Sequence, residues 1–127
     1  MELRGVDASD APVAVGGYSQ AVEVRRAVRT LYVSGQIPVS RNGEAPESFR
    51  EQARLAWRNI EAQLHAADMT LDNLVKVTIY LSDRRFGVEN REVRQEVLKE
   101  RKPALTVIIT GIFDTTWLLE IEAVACA

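Results

Sequence analysis

Residues 71–83 read LDNLVKVTIYLSD, and the middle of this stretch decides the fold. Val75, Val77, Ile79 and Leu81 alternate with Lys76, Thr78 and Tyr80. Period-two patterning rich in β-branched and aromatic residues predicts a strand with one buried face. Helical patterns flank it. Upstream, Ser48 with Glu51 forms a capping box, and Phe49, Ala53, Trp57, Ile60, Leu64 and Ala67 recur at spacings of three and four. That spacing predicts a helix of about five turns with one apolar stripe, on which Trp57 is core. Downstream, Phe86, Asn90, Val93 and Val97 form the stripe of a second helix running from about Phe86 to Glu100. Pro103 closes it, since proline has no N–H to continue the ladder.

Two more strands follow. In ALTVIIT (104–110), Leu105, Val107 and Ile109 face one way. In WLLEIEAVACA (117–127), Leu119, Ile121, Ala123 and Ala125 form an apolar face, while Leu118, Glu120, Glu122, Val124 and Cys126 form a mixed one. Towards the N-terminus, YSQAVEVRRAVRTLYVSGQIPVS (18–40) alternates in two runs and predicts a half-buried hairpin. Asn42-Gly43 and Pro46 mark a loop after it. The order is β-β-α-β-α-β-β, an α+β single domain over residues 1–127. Helices that bridge strands require some parallel neighbours, so the sheet is mixed and both helices cover one face. The other face is left open, and self-association is a plain way to cover apolar strand residues there.

Composition narrows the function classes. Hydrophobic residues are 46% and charged residues 27% of 127, the balance of a soluble globular domain. No run of ~18 apolar residues marks a membrane span, and MELRGVDASDAP lacks the basic and apolar regions of a signal peptide. The expected address is cytoplasmic. A net charge of −2 argues against a dedicated nucleic-acid binder. Arg84, Arg85, Arg91 and Arg94 form a local basic cluster, read as a solvated helix face interleaved with Glu89, Glu92 and Glu96. One His (His65) and one Cys (Cys126) cannot build a usual zinc shell or a disulfide. Cys126, beside the C-terminal residue, reads as a small buried side chain. Asn90 is an amide in an apolar register. It either ties down a neighbouring loop or lines a site.

Four segments in order, GGYSQAV (16–22), YVSGQIPV (32–39), LDNLVKVTIYLSD (71–83) and LLEIEAVA (118–125), resemble the Rid superfamily, the YjgF-type or reactive intermediate deaminase family. The resemblance runs from about residue 11 to the end. It implies a chorismate mutase-like fold and a homotrimer with a small-molecule cleft between adjacent subunits. It also implies hydrolysis of imines and enamines to a 2-keto acid and ammonia, without metal or cofactor. Carried over by residue, Tyr18 walls the cleft and Gly35 brings backbone close to the ligand. Asn90 lies near the cleft, Val107 offers its N–H to a carboxylate oxygen, and Glu120 holds or activates the attacking water.

The departure is at 103–106, Pro-Ala-Leu-Thr, where the family's deaminases read P-x-R-[ST]. The arginine is the fork that pairs with the substrate carboxylate. Leu105 has no donor, and Thr106 keeps the hydroxyl that follows. A carboxylate brought there is desolvated without a partner, at a cost of several kcal/mol. Lys102 and Arg101 are close in sequence but poorly placed, and an arginine of the 84–94 cluster, from another subunit, is the remaining substitute. Three functions follow: a hydrolase of C=N bonds with altered substrate choice, a non-catalytic metabolite-binding or regulatory trimer, and, least favoured, action on RNA. Glu120 and Glu122 also admit a plain reading as solvated surface groups.

Overall fold

The computed structural model describes all 127 residues. Its elements are β1 (Glu2–Val6), β2 (Ala21–Arg25), β3 (Thr30–Gln36), α1 (Phe49–Ala66), β4 (Leu74–Leu81), α2 (Gly87–Leu98), β5 (Ala104–Ile109) and β6 (Leu119–Cys126). Four strands form one sheet in the order β3-β6-β4-β5. The α2 crossover makes β4 and β5 parallel, and β6 runs antiparallel to both β3 and β4. Two helices on a mixed sheet agree with the predicted fold class.

Two expectations change. The run from 18 to 40 does not close into a hairpin: β2 pairs with β1, a strand the sequence reading omitted, and β3 pairs with β6. The link between β2 and β3 explains why. Arg26 takes a left-handed φ of 57°, and the Val28 and Arg29 N–H groups both donate to the carbonyl of Ala127. The chain is thereby handed to the C-terminal strand. The β1–β2 ribbon is tied to the sheet through Ser19, whose N–H donates to the Pro103 carbonyl (3.1 Å) and whose hydroxyl donates to that of Lys102 (2.7 Å).

The second change concerns the faces of β5. Leu105, Val107 and Ile109 stand opposite Val77, Ile79 and Leu81, all buried under the helices. They therefore lie at the margin of the helix-covered face, not on the open one. The open face carries Lys76, Thr78 and Tyr80 of β4, Thr106 and Ile108 of β5, and Glu120 and Glu122 of β6.

The first helix starts where predicted. Ser48 Oγ accepts the Glu51 N–H at 3.2 Å, satisfying one orphan donor. Its buried side, including Trp57, Ile60 and Leu64, sits on Val77, Ile79, Ile121 and Ala123 in one core. Asp83 caps a short 3-10 turn (Arg84–Phe86) that leads into α2. The two helices are clasped by Arg50 to Glu92 (2.9 Å) and Glu89 (3.5 Å), by Arg54 to Glu96 (2.8 Å), and by the Phe49–Phe86 stack (4.7 Å). No helix is long and apolar enough to cross a membrane.

Candidate functional site

The expected site residues fall into two groups on opposite faces of the sheet. Gly35 and Glu120 belong to the open face. A bulge between Val33 and Gln36 shifts the β3–β6 register and brings the Gly35 backbone against the Glu120 side chain. A Cβ at residue 35 would land inside that carboxylate, 2.7 Å from Cδ and 3.0 Å from Cγ. Gly35 is thus required by close approach, its φ lying outside the left-handed region.

Glu120 shares a shallow pocket with Tyr80, Glu122 and the loop Thr110–Phe113, in which Phe113 is almost fully exposed. Tyr80 donates its hydroxyl to Glu122 (2.5 Å). That bond, reinforced by desolvation and by the two carboxylates, raises the phenol's pKa, so Tyr80 stays a neutral donor. Lys76 donates to Thr106 Oγ1 (2.9 Å) and Thr78 Oγ1 (3.2 Å). Desolvation lowers its pKa, and Glu122 works against that. Thr106 therefore lies with the carboxylates, on the side opposite Leu105.

The second group lies over the helix face. A groove of about 540 Å³ between α2 and β5 is lined by Arg84, Arg85, Asn90, Arg91, Arg94 and Val107, with Gly87 and Val88. Asn90 is 3% exposed and makes no side-chain hydrogen bond; its Oδ1 is sealed and unpaired. No hydrogen bond from it holds a loop, and it lines the groove. Strand alternation fixes Val107. The Thr110 N–H points to Leu81 of β4, so residues of opposite parity point their N–H groups to the unpaired edge of β5. Tyr18 follows Gly16 and Gly17, which lie against Arg94 and Gln95 of α2. Leu105, half-buried, packs against the core margin one register step from Val107.

The basic cluster departs from expectation. Arg94 is 4% exposed, so it belongs to no solvated face. Its Nη2 donates to the Gly16 carbonyl and its Nε–H is buried without an acceptor. Burial is the main cause lowering its pKa, and Arg91 adds to it. Of the two sequence neighbours that could replace the missing arginine, Arg101 pairs with Asp72 at 2.6 Å and Lys102 is exposed.

Sequence reasoning gave no role to Gln52, which is 2% exposed. Its amide donates to the carbonyls of Pro46 and Thr116 (both 2.9 Å) and accepts from the Leu118 N–H (2.8 Å). It staples α1 to the loop that feeds Glu120 into β6. The only signal was a polar residue beside the apolar stripe.

Known proteins resemble this chain in sequence and in fold. A family model described as Endoribonuclease L-PSP matches residues 8–127. The rat 2-iminobutanoate/2-iminopropanoate deaminase is 37% identical over 123 residues, 94% of this chain and 87% of that one. The Rid-family protein YyfB of Yersinia pestis superimposes with a TM-score of 0.87 over the whole of both chains; at 24% identity this bears on the fold. Escherichia coli TdcF, solved with bound serine, gives a TM-score of 0.75 at 29% identity over 98% of each chain.

Proposed function

Since this chain belongs to the endoribonuclease L-PSP family, the Rid or YjgF family, we propose that it is a cofactor-independent hydrolase of C=N bonds whose substrate choice has shifted away from simple amino-acid imines. The observation that carries the reading is Leu105. It occupies the strand position where the resemblance places the carboxylate-binding arginine, and its side chain packs into the core margin instead. The side chain of residue 105 offers no donor to a ligand. Glu120 is the group that holds the attacking water, kept in place by the glycine that lets the β3 backbone approach it.

The active unit is a homotrimer with clefts between protomers. In one chain, Asn90 and Val107 lie on one side of the sheet, and Gly35, Thr106 and Glu120 on the other. A second copy is what brings a Glu120 to an Asn90. The relatives supply the chemistry by analogy: one is named for imine hydrolysis and another was solved with serine.

The test is ammonia release from a panel of imines generated in situ, with and without a carboxylate beside the C=N bond. Turnover of a carboxylate-free or longer imine, abolished in Glu120→Ala, supports the hydrolase. A metabolite that raises the melting temperature yet is never consumed would assign the protein instead to non-catalytic binding.

A further inference from the structure

The cationic groove between α2 and β5 is unusual in its bookkeeping of charge. Every acidic residue of α2 is already engaged: Glu89 and Glu92 by Arg50, and Glu96 by Arg54. The groove's own arginines, Arg84, Arg85, Arg91 and Arg94, have no carboxylate within ion-pair distance. Four guanidinium groups line one groove with nothing in the chain to neutralise them.

The groove is also built. Arg94 is held from behind by the Gly16 carbonyl and is more than nine-tenths buried, yet it keeps an unpaired Nε–H. An unneutralised guanidinium at that depth is costly unless something supplies the missing charge. Asn90, as deeply buried, lacks any side-chain partner, and of its two amide atoms only Oδ1 is sealed. Its Nδ2 therefore keeps an opening onto the groove it lines. Arg85 is steadied at the rim over the Phe86 ring, 4.8 Å from its centroid. The free N–H of Val107 adds a backbone donor at the floor. Donors of this kind, planar forks with a neutral amide and a strand N–H, match an oxyanion.

We infer that this groove is an anion site that takes a small ligand by a doubly charged oxyanion, of which a phosphate group is the simplest, with Arg94 and Arg91 as the principal cations. A dianion matches the two charges of Arg94 and Arg91, whereas a single carboxylate would balance only one of them. This deepens the proposed function and rests on it for the identity of the ligand: the charge recognised by residue 105 in the relatives' pattern is recognised here from α2. Val107 lies two residues from Leu105, about 6–7 Å along a strand. The anionic group therefore lies beside Val107, within reach of the α2 arginines that line the same groove.

The test is calorimetric titration of the full chain at low ionic strength with inorganic phosphate, succinate and acetate, with light scattering to follow the oligomer. The same titrations are run on Arg91→Ala, an exposed position, and on Arg94→Lys, which keeps the charge but loses the fork. Phosphate or succinate is expected to bind in the millimolar range or tighter and acetate at least tenfold more weakly. Arg91→Ala is expected to weaken the dianion severalfold and Arg94→Lys tenfold or more, with the oligomer unchanged. The inference is overturned if no dianion binds, if both variants bind as the parent does, or if they break the oligomer while leaving dianion binding intact. In that last case the arginines pair with another protomer's carboxylates. Phosphate binding without turnover of any imine would count against the hydrolase alone, and imine turnover without dianion binding against this site alone.

Discussion

Replacing Gln52 by Leu removes a staple and changes no charge. The amide makes three hydrogen bonds, to the Pro46 and Thr116 carbonyls and from the Leu118 N–H. Each such bond contributes about 1 kcal/mol net, and a buried group left unpaired costs about 1–3 kcal/mol. Thr116 is exposed, so water takes over its carbonyl. Pro46 and Leu118 are partly covered and recover less. Leucine fills a similar volume and regains some apolar burial. The sum is a loss of about 2–3 kcal/mol. For a domain of this size that lowers the melting temperature by about 8–12 °C. Urea and thermal denaturation read it directly. Gln52→Glu should be worse at neutral pH, because a carboxylate cannot donate to the two carbonyls. Burial raises that carboxyl's folded pKa above its unfolded value. The deficit is therefore full above the folded pKa and shrinks as pH falls towards the unfolded one. A Gln52→Leu shift below about 2 °C, or a Gln52→Glu variant indifferent to pH, would refute the staple.

Three further outcomes follow from the same geometry. Gly35→Ala keeps an allowed backbone but pushes the Glu120 carboxylate aside by about 1 Å, so turnover should fall about 100-fold while the melting temperature moves only a few degrees; kinetics with a parallel melt separate the two. Arg54 donates to Glu96 and holds its carboxyl below the usual range. That pairing stabilises fully above the unfolded carboxylate pKa, about 4.3. It is lost as pH falls through the lower folded value, so Glu96→Gln should flatten the acid limb of the stability curve. Leu105→Arg should cost about 1–2 kcal/mol of stability, because it strips apolar packing at the core margin while the long stem keeps some of it.

The parts of the fold that were legible are those where periodicity and caps agree. Ser48 with the Phe49–Leu64 stripe, and the alternations in β4 and β6, predict elements that form within a residue or two of expectation. Glu2–Val6 was not legible as a strand, because its charges and Gly5 hide the alternation and its order comes from the ladder to β2. The face of β5 required its register with β4, which no local pattern encodes. Arg94 defied the general expectation that arginine is solvated, and only the packing of α2 on Gly16 reveals its burial. Trp57 lies where its register puts it, whereas Cys126 is buried at the strand end although its register places it on the mixed face of β6. The separation of Glu120 from Asn90 follows from the sheet having two faces, which no local pattern encodes.

The central claim is that losing the β5 arginine changes what the cleft accepts. The direct measurement is the rate of ammonia release from 2-iminopropionate, generated in situ, by the parent chain and by Leu105→Arg. The parent should run at or near background. A carboxylate fork is worth about 3 kcal/mol, so the variant should gain about 100-fold. A parent rate equal to that of arginine-bearing relatives would contradict the account.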